Sequence, residues 1–130
     1  MRPPMHNPRC VFCTMAEVYV VADNQLAYAV RDTSPVTPLH TLILPKRHVA
    51  SYFDLEAEEK GAIDEFLEQS RRDILALDPN VKGFNIGINV GEVAGQTIFH
   101  CHVHLIPRRL GDVANPRGGV RAVIPGKASY

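Results

Sequence analysis

The stretch Gly95-Gln96-Thr97-Ile98-Phe99-His100-Cys101-His102-Val103-His104-Leu105-Ile106-Pro107-Arg108 decides how this chain is read. Three of the six histidines fall here, at i, i+2 and i+4. The alternation predicts a β-strand over Ile98–Pro107, with His100, His102 and His104 on one face and Cys101, Val103 and Leu105 on the other. Each imidazole can serve as nucleophile, proton donor or metal ligand. Just upstream, Gly95 lets the backbone approach a ligand closely, and successive N–H groups in such a turn cradle an anion. Gln96 and Thr97 add polar hydrogens beside it. A phosphate held there would meet a neutral imidazole, whose attack on phosphorus gives a phosphoramidate that water can break.

Working outward, Phe84–Val90 reads as a preceding strand and Gly91–Gly95 as the turn between the two. Asp54–Leu77 is the one long helix. Asp54 is its expected cap, acids crowd its first turn, and Ile63, Phe66, Leu67, Ile74 and Leu77 mark one apolar face. Further back, Glu17–Ala22 and Gln25–Arg31 read as strands joined by a tight Asp23-Asn24 link. His40–Leu44 is a short apolar strand ended by Pro45. Strands, a helix, then strands, with short links, predict an α+β fold on an antiparallel sheet. Residues 1–9, with three prolines, read as a flexible tail, 10–110 as the domain, and 111–130 as a loop-rich tail.

The composition is 45% hydrophobic and 22% charged, that of one ordinary globular domain of 130 residues. No run approaches a membrane span and the first nine residues contain no apolar leader, so the expected location is cytoplasmic, with no membrane partner. The formal net charge is zero, which excludes a uniformly basic nucleic-acid binder. That zero is a cancellation: residues 54–78 carry a net −6 and the remainder +6. An anionic ligand is drawn to the remainder, which holds the histidines.

His100-x-His102-x-His104-Leu105-Ile106 resembles the signature of the histidine triad (HIT) family of nucleotide hydrolases and transferases. The resemblance extends through Asp32-Thr33-Ser34-Pro35, His40–His48 and Asn89. Ala94–Thr97 and Pro107–Asp112 look like the fragile histidine triad branch, which hydrolyses dinucleoside polyphosphates; Asp32–Pro35 looks closer to the nucleotide-binding, phosphoramidase branch. The resemblance implies a five-stranded antiparallel sheet with one long helix and a short N-terminal helical turn, and a homodimer. It implies cleavage at the α-phosphorus of a purine (AMP-containing) nucleotide, with no catalytic cofactor. His102 would be the nucleophile, with His104 and His40 beside it and Gln96 and Thr97 on the phosphate. Asp32 would hold the ribose, although a turn cap before Ser34-Pro35 competes as its role. Asn89 and Gly95 would line the cleft, and Val11, Phe12, Met15, Val30 and Leu42 the base pocket, unless they are plain core. A nucleotidyltransferase fits less well, because that branch has Gln in place of His104. A nucleotide-binding or zinc-containing interaction module with little turnover is the reading from another class.

Cys10-Val11-Phe12-Cys13 has the spacing of half a zinc site; a redox pair or two free thiols are the alternatives. The family resemblance implies a structural Zn2+ held by Cys10, Cys13, His48 and His100. That set sits awkwardly with a regular strand, which would point His100 toward His102 and His104.

Overall fold

The structure, a computed structural model, describes residues 6–13 and 20–130. Met15, the first part of the Glu17–Ala22 strand and the segment expected to hold the helical turn lie outside the described residues. Five strands form one sheet: β1 (Val20–Asp23), β2 (Ala27–Arg31), β3 (Thr41–Pro45), β4 (Val81–Ile88) and β5 (Val103–Arg109). Their order is β1-β2-β3-β5-β4, and each neighbouring pair is antiparallel. The single long helix, α1 (Ala57–Leu77), joins β3 to β4.

The alternation along the strands gives the sheet two apolar faces. On one, Ile63, Phe66 and Ile74 of α1 meet Ile43, Val103 and Leu105. On the other, Tyr28, Val30, Leu42 and Leu44 pack under Cys10 and Phe12. The Tyr28 hydroxyl donates to the Phe12 carbonyl and pins this N-terminal cover down. No helix among the described residues is long and apolar enough to cross a membrane.

Four local expectations are corrected. The β1–β2 link is Asn24–Leu26 rather than Asp23-Asn24, because Asn24 Oδ1 accepts the N–H groups of Leu26 and Ala27 at 2.8 and 2.9 Å. The helix begins at Ala57, not Asp54: Asp54 closes a separate 3-10 turn, and Leu55 is extended. The cap is Glu56, whose N–H donates to Glu59 Oε1 at 2.8 Å. Finally, β5 begins at Val103, five residues later than the alternation suggests, so His100 and His102 stand on irregular chain before the strand. Cys101 N–H donates to the Val49 carbonyl at 2.7 Å and diverts that chain from the ladder. The stretch after Gly111 contains one 3-10 turn, at Gly119–Val123.

Candidate functional site

Because the chain is irregular at His100, the three histidines do not share a face. His100 is fully buried and turns toward the end of β3, where its Nε2 lies 2.7 Å from the Pro45 carbonyl. A carbonyl only accepts, so Nε2 carries the proton and Nδ1 holds the lone pair. That lone pair faces Cys10 Sγ at 3.6 Å and Cys13 Sγ at 3.4 Å. His48 Nδ1 reaches Cys13 Sγ at 3.4 Å. The donor atoms of Cys10, Cys13, His48 and His100 all lie within 4.8 Å of one another, a group suited to a metal ion. With Zn–S near 2.3 Å and Zn–N near 2.1 Å, the N···S edge of a tetrahedron is about 3.6 Å, close to the spacings seen. The Pro45 carbonyl is the kind of outer partner that orients a histidine ligand.

His102 behaves differently. Its Nδ1 lies 2.8 Å from the His100 carbonyl, so Nδ1 is protonated and Nε2 is left bare. The ring is partly exposed and stands between Phe12 and His104, with centroids 5.0 and 5.1 Å away. His104 Nδ1 meets Nε2 of the buried His40 at 2.9 Å. Asp32, His40 and His104 also form a metal-like grouping, but the Val36 N–H occupies His40 Nδ1 at 3.0 Å, so its Nε2 must keep a proton. That grouping is therefore a hydrogen-bonded chain and a poor ligand set.

His40 and His104 line a groove of about 520 Å³, together with Asn89, Asn85 and Arg108. Val120 and Val123 of the C-terminal 3-10 turn form its far wall. Arg108 does not reach freely into it, being bound twice to Asp112 at 2.8 Å and once to Asn85 at 2.6 Å. Arg117 and Arg121 flank the Tyr130 ring, each 4.9 Å from its centroid.

The remaining expected site residues divide. Gln96 is 3% exposed: its Oε1 accepts the Gly91 N–H at 2.9 Å, and its Nε2 donates to the Ala50 and Ile98 carbonyls. Both amide hydrogens are engaged, so Gln96 ties its turn to Ala50 and Ile98. Gly95 is exposed at φ 93, a conformation that favours glycine. Thr97 and Val11 border a separate hollow beside His48, away from the groove. Val30 and Leu42 are 0% and 4% exposed, so they are core residues here with no surface for a base. Phe12 is buried against the His102 ring. Asp32 Oδ1 caps the turn at Ser34 N–H (2.8 Å), while Oδ2 lies 3.6 Å from His40 Nδ1. The Val36 amide escaped the sequence reading, whereas the glycine-rich segment Asn115–Arg121 reads from sequence as shaped for close backbone approach on the leaving-group side, and Gly119 and Val120 line the groove.

Burial pushes the His104 pKa down from 6.5 to about 4, helped by His102 and His40 and opposed by Asp32. His40 is lowered by burial, again against Asp32. Both rings are neutral at pH 7. A histidine with a lowered folded pKa binds fewer protons folded than unfolded, so stability rises with pH between about 4 and 6.5. Urea midpoints should therefore fall from pH 7 to pH 5, and His104→Gln should flatten that slope. An unchanged slope in the variant would contradict the assignment to His104.

Comparisons with known proteins agree with this geometry. Residues 15–111 match the HIT domain family. A HIT family protein from Bacillus anthracis superposes with a TM-score of 0.74 at 37% identity, covering 81% of this chain and 77% of that one. A Zn-bound histidine triad family protein from Mycobacterium smegmatis gives a TM-score of 0.73 at 31% identity, covering 82% and 80%. An AP-4-A phosphorylase of Mycobacterium tuberculosis is 37% identical over 97 residues, 74% of this chain and 49% of that protein.

Proposed function

The chain belongs to the HIT family, and on that premise we propose that it cleaves the α-phosphoryl bond of a nucleotide through a nucleotidyl-His102 intermediate. The substrate is a dinucleoside polyphosphate of the diadenosine type or a nucleoside phosphoramidate, and the product is a nucleoside monophosphate. The observation that carries this reading is the His102 ring itself: with Nδ1–H held by the His100 carbonyl at 2.8 Å, Nε2 is a bare nucleophile on a partly exposed ring. Attack by Nε2 on phosphorus expels the leaving group and makes an N–P bond. The His100 carbonyl stabilises the positive imidazolium through its Nδ1–H. Water then attacks the same phosphorus and returns His102 to its starting form. His104, whose ring stands 5.1 Å from that of His102, lines the groove with His40 and Asn89. The name of the mycobacterial AP-4-A phosphorylase supports a nucleotide substrate.

Quenching the protein in its first turnover with diadenosine tetraphosphate or an adenosine phosphoramidate should leave a nucleoside monophosphate on the His102 peptide, read by mass. Nucleotide binding with neither adduct nor turnover would overturn the hydrolase reading in favour of a binding module.

The same proposal includes a structural zinc. Cys10, Cys13, His48 and His100 fit it by donor type, by the inward lone pair of His100 and by spacing. When bound, the metal would tie the N-terminal cover to the chain entering β5, with no open position for chemistry. Metal analysis should find one zinc per chain in the wild type and almost none in Cys10→Ser plus Cys13→Ser; undiminished zinc would refute this ligand set. A homodimer, joined along α1 and the outer edge of β4, completes the proposal.

A further inference from the structure

The loop that carries His40 decides where a proton sits two rings away. The Val36 backbone N–H points at His40 Nδ1 from 3.0 Å. An amide N–H only donates, so His40 Nδ1 must be bare and the neutral ring protonated at Nε2. Nε2 lies 2.9 Å from His104 Nδ1, so Nδ1 of His104 accepts and its own proton sits on Nε2. A rival arrangement is built into the same site. Asp32 Oδ2 is 3.6 Å from His40 Nδ1; in hydrogen-bond contact it would draw the proton onto Nδ1, reverse both rings and leave His104 Nε2 bare. The amide prevails on distance, while the Ser34 N–H holds Asp32 Oδ1 at 2.8 Å.

We propose that residues 32–41 form a tautomer lock on His104, with the Val36 N–H as selector and Thr37 as the positioning residue that keeps it in place. Thr37 Oγ1 donates to the Pro107 carbonyl at 2.7 Å, tying the loop to β5, the strand that bears His104. The loop is closed by Asp32 N–H on the His40 carbonyl (2.9 Å) and His40 N–H on the Thr37 carbonyl (3.1 Å). Leu39 is held at φ 72, a left-handed conformation that a leucine rarely adopts. Its carbonyl accepts from Thr41 Oγ1 at 2.8 Å, and that hydroxyl receives Arg31 at 2.6 Å. The chain is thus braced on both sides of His40. Resting on the nucleotidyl-transfer reading above, the lock gives His104 an Nε2–H that donates to a phosphoryl oxygen or to the departing atom; the reversed tautomer would present a lone pair and repel either.

The test uses ring-nitrogen NMR of the full chain, which reports which nitrogen of each histidine is protonated. Wild-type His104 should show a bare Nδ1 and a protonated Nε2 at neutral pH. Thr37→Val should shift it toward the reversed form and lower kcat about tenfold with KM within about twofold, and Thr37→Ser should restore both. Val36→Pro, which deletes the donor itself, should shift the ring signals in the same direction should the Thr37 variant fail to fold. A wild-type His104 protonated on Nδ1, or unchanged ring signals in the folded variants, overturns the proposal. The expected signals in a protein that forms no nucleotidyl adduct support the lock and overturn the functional reading instead.

Discussion

His102→Ala should lower kcat/KM on diadenosine tetraphosphate by about 10⁴-fold or more, roughly 5.5 kcal/mol of transition-state stabilisation. The expected loss is large because the neighbouring histidines are engaged elsewhere. The His100 Nδ1 lone pair faces the two cysteine sulfurs at 3.4–3.6 Å. His48 Nδ1 is 3.4 Å from Cys13 Sγ. His40 accepts from Val36 on one nitrogen and bonds His104 with the other. His102 has its Nδ1–H held by the His100 carbonyl and its Nε2 bare. Binding of AMP should change by less than about threefold, since a nucleophile contributes in the transition state rather than the ground state. Steady-state turnover and calorimetric AMP binding on the same preparation check both halves. A variant within tenfold of wild type would place the nucleophile elsewhere.

Glu59→Ala should cost the fold about 3–5 kcal/mol, a large share of the 5–15 kcal/mol a domain of this size has. Glu59 and Arg47 are 3% and 5% exposed. Their bond is two-pronged, with Arg47 Nε 3.0 Å from Oε2 and a terminal nitrogen 2.8 Å from Oε1. Arg47 also donates to the Asp54 carbonyl at 3.0 Å. Truncating Glu59 strands a buried guanidinium and removes the acceptor for the Glu56 N–H at the helix start. Glu59→Leu with Arg47→Met, which removes both charges, should recover most of the loss. Urea unfolding of the three proteins decides it; a single variant within 1 kcal/mol of wild type, about a fivefold change in the folded ratio, would show the pair is not buried in solution.

The largest local signals were read correctly because they are periodic. Apolar spacing located α1, alternation and apolar runs located the strands, and the short links between them gave the antiparallel class. The misreadings came where side chains bind backbone. Asn24 lengthened the first link by accepting two N–H groups. Leu55 broke the helix start, and Glu59 read as a dipole partner though it is a buried ion-pair partner of Arg47. Alternation carried β5 back to Ile98, but it cannot see the His100 ring turning to the Pro45 carbonyl. The Cys-x-x-Cys spacing foretold a clustered pair, while its approach to His48 and His100 depends on contacts 35 to 90 residues apart. Gln96 shows the limit from the other side: spacing marks a polar residue beside a glycine turn, but it cannot show that the amide bonds Gly91, Ile98 and the distant Ala50.

The strand order β1-β2-β3-β5-β4 has a consequence for the growing chain. Until Val103–Arg109 has been synthesised, β3 and β4 have no partner between them, and the described residues before it supply a three-stranded meander and a helix with a lone strand. The last strand to arrive is therefore the wedge that unites the two halves, and it also bears His104. Assembly of the sheet and assembly of the site become a single late event during biogenesis. A nascent chain halted before that strand leaves β3 and β4 with open ladders, the state most exposed to aggregation and to chaperone capture.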